Sequence, residues 1–181
     1  ALIRTLVGDK PFGVDLVLPP GMPEHNSRGA IEAEIPDEHK GFVAGLIEKY
    51  QVPPGSGPGM RTRFIRSLEI EQAQIQAVLE SSVNMFACGI GAPPEVLRRA
   101  KTLGKTTLAL IGSPHHVQRA VAAGVDMLVA QGYDAGAHTG PIGTYSLVPQ
   151  IVDAAGDVPV LVAGGVATGR HIAAALAMGA A

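Results

Sequence analysis

Val129-Ala-Gln-Gly-Tyr-Asp-Ala-Gly-Ala-His-Thr-Gly140 is the segment whose residue types and spacing point most directly to chemistry. An apolar run passes straight into Gln131-Gly132, and Gly136 and Gly140 bracket His138. A histidine in a glycine-rich loop can reach a substrate, and an unperturbed imidazole pKa of about 6.5 suits proton abstraction near neutral pH. The alternative is a histidine that braces its loop by hydrogen bonding. A second segment, Ala163-Gly164-Gly165-Val166-Ala167-Thr168-Gly169, ends another apolar run and leads into a short helical pattern. Glycines let an anion approach backbone N–H groups with no Cβ in the way, and a helix N-terminus adds its dipole. A plain turn is the alternative for Gly164-Gly165.

The elements that must position these loops are regular. Phe12–Leu18, Val83–Cys88, Thr106–Ile111, Val125–Ala130 and Val158–Ala163 are apolar at nearly every position. This pattern predicts strands buried on both faces of a parallel sheet. Helical patterns alternate with the later runs. One opens at Pro93-Pro94-Glu95, carries Val96, Leu97, Ala100 and Leu103, and ends at Gly104. The next opens at Ser113-Pro114, carries Val117, Ala120 and Val121, and ends at Gly124. Leu147, Val148, Ile151, Val152 and Ala155 run to Gly156, with Pro149 tolerable only in a first turn. Thr168 is expected to cap a last helix with Ile172, Ala175 and Leu176 facing inward, ending at Gly179. Consecutive strand–helix units predict an α/β fold.

Residues 19–82 differ. Positions 19–36 hold four prolines and no periodic pattern. A helix is expected where Phe42, Val43, Leu46, Ile47 and Tyr50 recur, then a loop over Pro53–Gly59, then a helix from Leu68 to Ser82 with Ile75, Val78 and Leu79 inward. So long a connection suggests a lid over the strand C-termini. Arg61, Arg63 and Arg66 read as a solvated basic group.

Composition bounds the class. The chain has 181 residues, 46% apolar and 17% charged, with glycine and proline together about a fifth. A formal net charge of −2 removes a strong case for nucleic-acid binding. The single cysteine, Cys88, excludes an internal disulfide framework, fits a reducing compartment and reads as core. No apolar run approaches the ~18 residues of a membrane span, and the layout of a signal peptide is absent from the start. The expectation is a cytoplasmic chain. It begins at Ala1 and stops just after a helical pattern, which reads as an internal piece of a longer protein. His115 and His116 read as solvated and form no metal pair. His171 lies within reach of a phosphate, although a surface role is the simpler expectation. An open doubly wound sheet and an eight-stranded barrel both remain. No G-x-G-x-x-G or P-loop follows a strand, and a glycine loop before a short helix suits a barrel phosphate site.

Three motifs in order resemble the nitronate monooxygenase family: Gln131–Gly140, Gly143–Pro149 and Val158–Val166. Lys10-Pro-Phe-Gly-Val-Asp-Leu16 resembles its earlier strand motif. The resemblance spans nearly the whole chain outside 19–82. It implies a TIM-type (β/α)8 barrel that binds FMN, present here as one incomplete domain over 1–181 holding about strands three to seven. It implies that His138 takes the α-proton of a nitroalkane, or holds the nitronate, with oxygen completing oxidation to a carbonyl compound and nitrite. It further implies FMN contacts at Asp15, Gln131, Gly132, Gly136, Gly164 and Gly165. The implied partners are a nitronate or nitroalkane and oxygen, with a homo-oligomer left open.

The chain departs from the family pattern in three places. Asp134 and Ala137 replace the glutamate and second glycine of the usual Glu-Ala-Gly-Gly-His, and Asp15 stands where asparagine is usual. A negative charge at Asp15 would disfavour a reduced, anionic flavin. Relatives with these motifs include NAD(P)H:quinone reductases and enoyl-thioester reductases, so that chemistry is the second expectation. A third is a non-catalytic fragment, since five of eight strands leave two bare sheet edges.

Overall fold

The computed structural model describes residues 2–25, 27–56 and 66–181. The chain forms two compact units, one of residues 1–20 and 74–181, the other of residues 21–73.

The larger unit is built on five parallel strands: β1 (Gly13–Val17), β2 (Met85–Gly89), β3 (Thr106–Ile111), β4 (Met127–Gln131) and β5 (Val160–Ala163). Their order in the sheet is their order in the chain. A doubly wound sheet reverses order at a switch point, whereas a barrel wall does not. The sheet is a barrel wall.

Helices follow the strands as the glycine and proline signals require. α1 (Leu2–Val7) precedes β1, and α4 (Leu68–Glu80) precedes β2. α5 (Pro94–Thr102) follows β2 with Pro94 in its first turn, and a 3-10 turn (Pro114–His116) runs into α6 (Val117–Ala122) after β3. α7 (Thr144–Ala155) follows β4 and α8 (Gly169–Ala177) follows β5.

Strand alternation sends Phe86, Cys88, Thr107, Ala109, Ile111, Leu128, Ala130 and Val160 to one face, and all are buried. The apolar members pack with Ile75, Val78 and Leu79 of α4 and with the inner stripes of α5, α6 and α7. The other face carries Asp15, Ala87, Leu108 and Met127 side by side, then Leu110, Val129 and Leu161, then Gln131 and Ala163. Most of these are only half-buried, so the expected burial of both faces is corrected. Apolar residues at every position mark a barrel wall, whose inner face is covered by opposing strands rather than by helices.

Further corrections concern the helices. Ile172 and Leu176 of α8 are 55% and 56% exposed, and only Ala175 turns inward. Pro149 lies in the second turn of α7, where it leaves the Tyr145 carbonyl without its helical donor. That defect costs about 3 kcal/mol. Leu147, Val148 and Ile151, each fully buried on the same helix, contribute about 1.5–3 kcal/mol apiece and outweigh it. α1 carried no expectation from the sequence. Its Arg4 ties the N-terminal ends of β1 and β2, donating to the carbonyls of Gly8, Lys10 and Ser82 at 2.7–3.0 Å.

The smaller unit contains α2 (Arg28–Glu34) and α3 (Asp37–Lys49), neither with a buried residue. α2 falls inside the proline-rich stretch that showed no periodicity. Ser27 starts it by accepting the Ala30 N–H, a local signal that the lack of an apolar stripe concealed. Arg61 and Arg63 lie outside the described residues, as does part of the loop expected over 53–59. Among the described residues no helix is long and apolar enough to cross a membrane, and no His/Cys/Asp/Glu cluster could hold a metal ion.

Candidate active site

The C-terminal ends of the strands form a rim of loops held together by glycines. Gly91, after β2, lies so close to the Leu18 carbonyl beyond β1 that a Cβ would overlap it. Gly112, after β3, and Gly140, in the loop after β4, exclude side chains from each other in the same way. Gly132 ends β4 against the backbone of Thr144, the first residue of α7, and its N–H donates to the Ala163 carbonyl of β5. Adjacent loops thus meet backbone to backbone.

His138 is exposed in the loop between β4 and α7. The loop is closed at its base by the Tyr133 N–H donating to the Ile142 carbonyl at 2.9 Å. Gly132 pins one end and Gly140 the other. Ala137, immediately before His138, has φ +66, the left-handed region that favours glycine. Glycine, the residue that the resemblance implies at this position, would adopt that backbone without strain. Gly136 stands beside open space.

Asp134 braces this loop. Its Oδ2 accepts the Thr144 N–H at 2.8 Å, capping α7 from ten residues upstream. That backbone hydrogen bond, with the Thr144 hydroxyl close by, holds the carboxyl below the ordinary range. Thr144 Oγ1 itself is buried and makes no hydrogen bond of normal geometry among the described residues. It fills the space where a Cβ at Gly132 or Gly164 would be.

Gly164 and Gly165 follow β5 with φ +105 and +72. A Cβ at Gly164 would stand 2.8 Å from Thr144 Oγ1 and 2.9 Å from the Ala135 nitrogen, and one at Gly165 would meet the Asp134 Cβ at 3.2 Å. The two loops therefore pack together, and packing alone accounts for both glycines. Beyond them, the N–H groups of Gly165, Val166, Gly169 and Arg170 find no acceptor among the described residues. Thr168 occupies the N-cap position of α8, but its side chain caps no N–H, which corrects the expected cap. His171 instead reaches back past the helix start: its Nδ1 accepts the N–H of Ala167, the residue before the N-cap, at 3.1 Å.

Gln131 and Asp15 share the half-covered face of the sheet, Gln131 at the C-terminal end of β4 and Asp15 in the middle of β1. Neither side chain has a hydrogen-bond partner among the described residues. Asp15, though an exposed residue, has its carboxyl pushed up by desolvation. Cys88 faces the opposite, buried side. Desolvation first, and the Asp15 charge second, push its thiol up to about 12, so it is core and not a nucleophile.

Gln131, Gly132, Gly136, His138, Gly164 and Gly165 therefore gather at the ends of two neighbouring strands, with Asp15 on the same sheet face three strands away. Sequence reasoning missed Asp134 and Thr144 as the joint of the two loops. It also missed Ile90, an exposed β-branched residue with φ +60 in the rim after β2. The opposite ends of the strands carry polar groups that serve stability. Asp126 accepts from the N–H and hydroxyl of Thr107, both at 2.8 Å, and pairs with Lys101 at 2.8 Å.

Comparison with known proteins agrees with this layout. The chain is 40% identical to the candidate monooxygenase Rv1533 of Mycobacterium tuberculosis, over 98% of this chain and 50% of that protein. It is 36% identical, over 60% of its length and 30% of the relative, to a 5-hydroxy-7a-methyl-1-oxo-octahydro-1H-indene-4-carboxyl-CoA dehydrogenase of Rhodococcus jostii. Among solved structures, the nitroalkane oxidase of Streptomyces ansochromogenes superimposes with a TM-score of 0.74 at 31% identity, over 99% of this chain and 50% of that one. The chain spans half or less of the length of these relatives. The family model for nitronate monooxygenase matches residues 2–181. With the parallel barrel wall and its glycine-locked rim, that match makes this chain a member of the nitronate monooxygenase family, an enzyme family of oxidoreductases.

Proposed function

We propose that the protein is an FMN-dependent oxidoreductase that oxidises alkyl nitronates with oxygen to a carbonyl compound and nitrite, with His138 as its base. The observation that carries this reading is the meeting of the His138 loop and the Gly164-Gly165 loop at Thr144. It supports the reading because an exposed imidazole and N–H groups with no acceptor among the described residues then lie at one end of the barrel wall.

The residues fit FMN. A flat heteroaromatic ring with polar edges suits a half-covered apolar face that presents two polar groups unpaired among the described residues, the Gln131 amide and the Asp15 carboxyl. A phosphate suits the N–H groups after β5 and at the start of α8 that have no acceptor among the described residues. FMN, when bound, supplies the electron-accepting chemistry that no side chain offers.

The chain's own groups handle position and protons. The Gly132 and Gly140 contacts fix the two ends of the loop that carries His138. A ring nitrogen of that exposed imidazole takes the α-proton of a neutral nitroalkane and yields the nitronate. Asp134 is occupied as the cap of α7 and is not the base. His138→Asn should retain FMN and lose turnover of neutral nitroalkane; unchanged turnover would remove His138 from the mechanism.

A second reading is reduction of a quinone or an enoyl thioester by NAD(P)H on the same scaffold. The carboxyl-CoA dehydrogenase among the relatives supports it.

A further inference from the structure

We propose that His171 is a positioning residue for the glycine loop after β5, and that through this loop it sets the affinity of the protein for the flavin phosphate. The inference rests on the FMN reading above.

His171 stands in the first turn of α8 and reaches back across the helix start. Its Nδ1 accepts the Ala167 N–H at 3.1 Å, and the Thr168 hydroxyl lies 3.3 Å from the same nitrogen. An Nδ1 that accepts leaves the proton of the neutral ring on Nε2. The ring also meets Tyr145 of α7 edge-on, with centroids 6.4 Å apart and planes at 63°. The imidazole is therefore held by α7 on one side and holds the loop on the other.

The Ala167 N–H is the loop donor that has a protein acceptor. Its neighbours at Gly165, Val166, Gly169 and Arg170 have none among the described residues. Threonine at the N-cap with an acceptor three residues later has the spacing of a capping box, in which the later side chain reaches back to a backbone N–H. Here the imidazole reaches one residue further, to Ala167, and so ties the loop itself to the helix. With this tie, the free donors belong to a loop ordered before any anion arrives. Without it, the ordering would be drawn from binding.

Flavin titration of this chain, following fluorescence with FMN and, separately, riboflavin, tests the proposal. His171→Ala removes the acceptor, whereas His171→Asn keeps an oxygen where Nδ1 stands. The alanine variant should bind FMN about tenfold more weakly than the unsubstituted chain, the effect of one lost hydrogen bond of ordinary strength, with riboflavin affinity unchanged. The asparagine variant should recover most of the loss. Equal FMN affinity in the alanine variant overturns the proposal. Parallel loss of FMN and riboflavin, or no recovery with asparagine, also overturns it by marking a merely structural role. Failure of the unsubstituted chain to bind either flavin overturns the FMN reading instead. Nitrogen NMR of the apoprotein then decides the positioning role on its own: Nε2-protonated His171 and a slowly exchanging Ala167 amide support it, and a fast-exchanging amide overturns it.

Discussion

Asp134 accepts the backbone N–H of Thr144 at 2.8 Å, so the loop that carries His138 is fastened to the first residue of the helix that follows it. Loop and helix share one joint. The loop after β5 rests on the same joint, since Gly164 faces the Thr144 hydroxyl and Gly165 faces the Asp134 Cβ.

The hydrogen bond lowers the Asp134 pKa, so the carboxyl is more acidic folded than unfolded. Its contribution is present above the unfolded value and is lost as pH falls through the folded one, below the ordinary value of 3.8. Asp134→Ala is expected to lower the melting temperature at neutral pH and to flatten the acid limb of the stability profile. Asp134→Asn keeps an acceptor and should fall between. Thermal melts across the acid range give both results.

Glycines of the rim are expected to differ sharply. At Gly164 the backbone has φ +105 and a Cβ would stand 2.8 Å from Thr144 Oγ1, so Gly164→Ala should cost about 2–4 kcal/mol. Gly136 has nothing within 4 Å of its missing Cβ and no positive φ, so Gly136→Ala should stay within about 0.5 kcal/mol. Denaturant unfolding of the two variants side by side measures the contrast.

Ala137→Gly should stabilise the protein. Left-handed backbone at φ +66 costs alanine about 1–2 kcal/mol, and glycine's extra unfolded-state entropy returns only part, leaving a gain of about 0.5–1 kcal/mol. An unchanged denaturation midpoint would show that the loop relaxes without the substitution.

Much of the scaffold was legible in local pattern. Each of the five apolar runs became a strand, because a run of that length bounded by glycine, proline or polar residues has few other uses. Gly104, Gly124, Gly156 and Gly179 stop their helices with positive φ as expected. What escaped depends on long-range contact. Nothing near Asp134 in the chain signals that it caps a helix starting at Thr144. The inward face expected for Ile172 and Leu176 was read from helical spacing, which finds an apolar stripe without knowing what covers it. The local cost of Pro149 is visible in the sequence, whereas the buried stripe that offsets it shows only in the packing.

Asp15 gives the opposite pH dependence to Asp134. Desolvation raises its folded pKa above 3.8, so its ionisation opposes folding, and stability from this group declines as pH rises through the folded value. Asp15→Asn is therefore expected to raise the melting temperature at neutral pH and to leave it nearly unchanged at acid pH. A lower melting temperature at neutral pH would show that the carboxylate has a stabilising partner.

Anaerobic reduction of the flavin-loaded protein separates nitronate oxidation from reductase chemistry. A nitronate, NADH and NADPH are added in separate samples while the visible flavin band is followed. Bleaching by the nitronate alone is expected. Bleaching by a nicotinamide, with none by the nitronate, would contradict the nitronate reading and assign the protein to reductase chemistry.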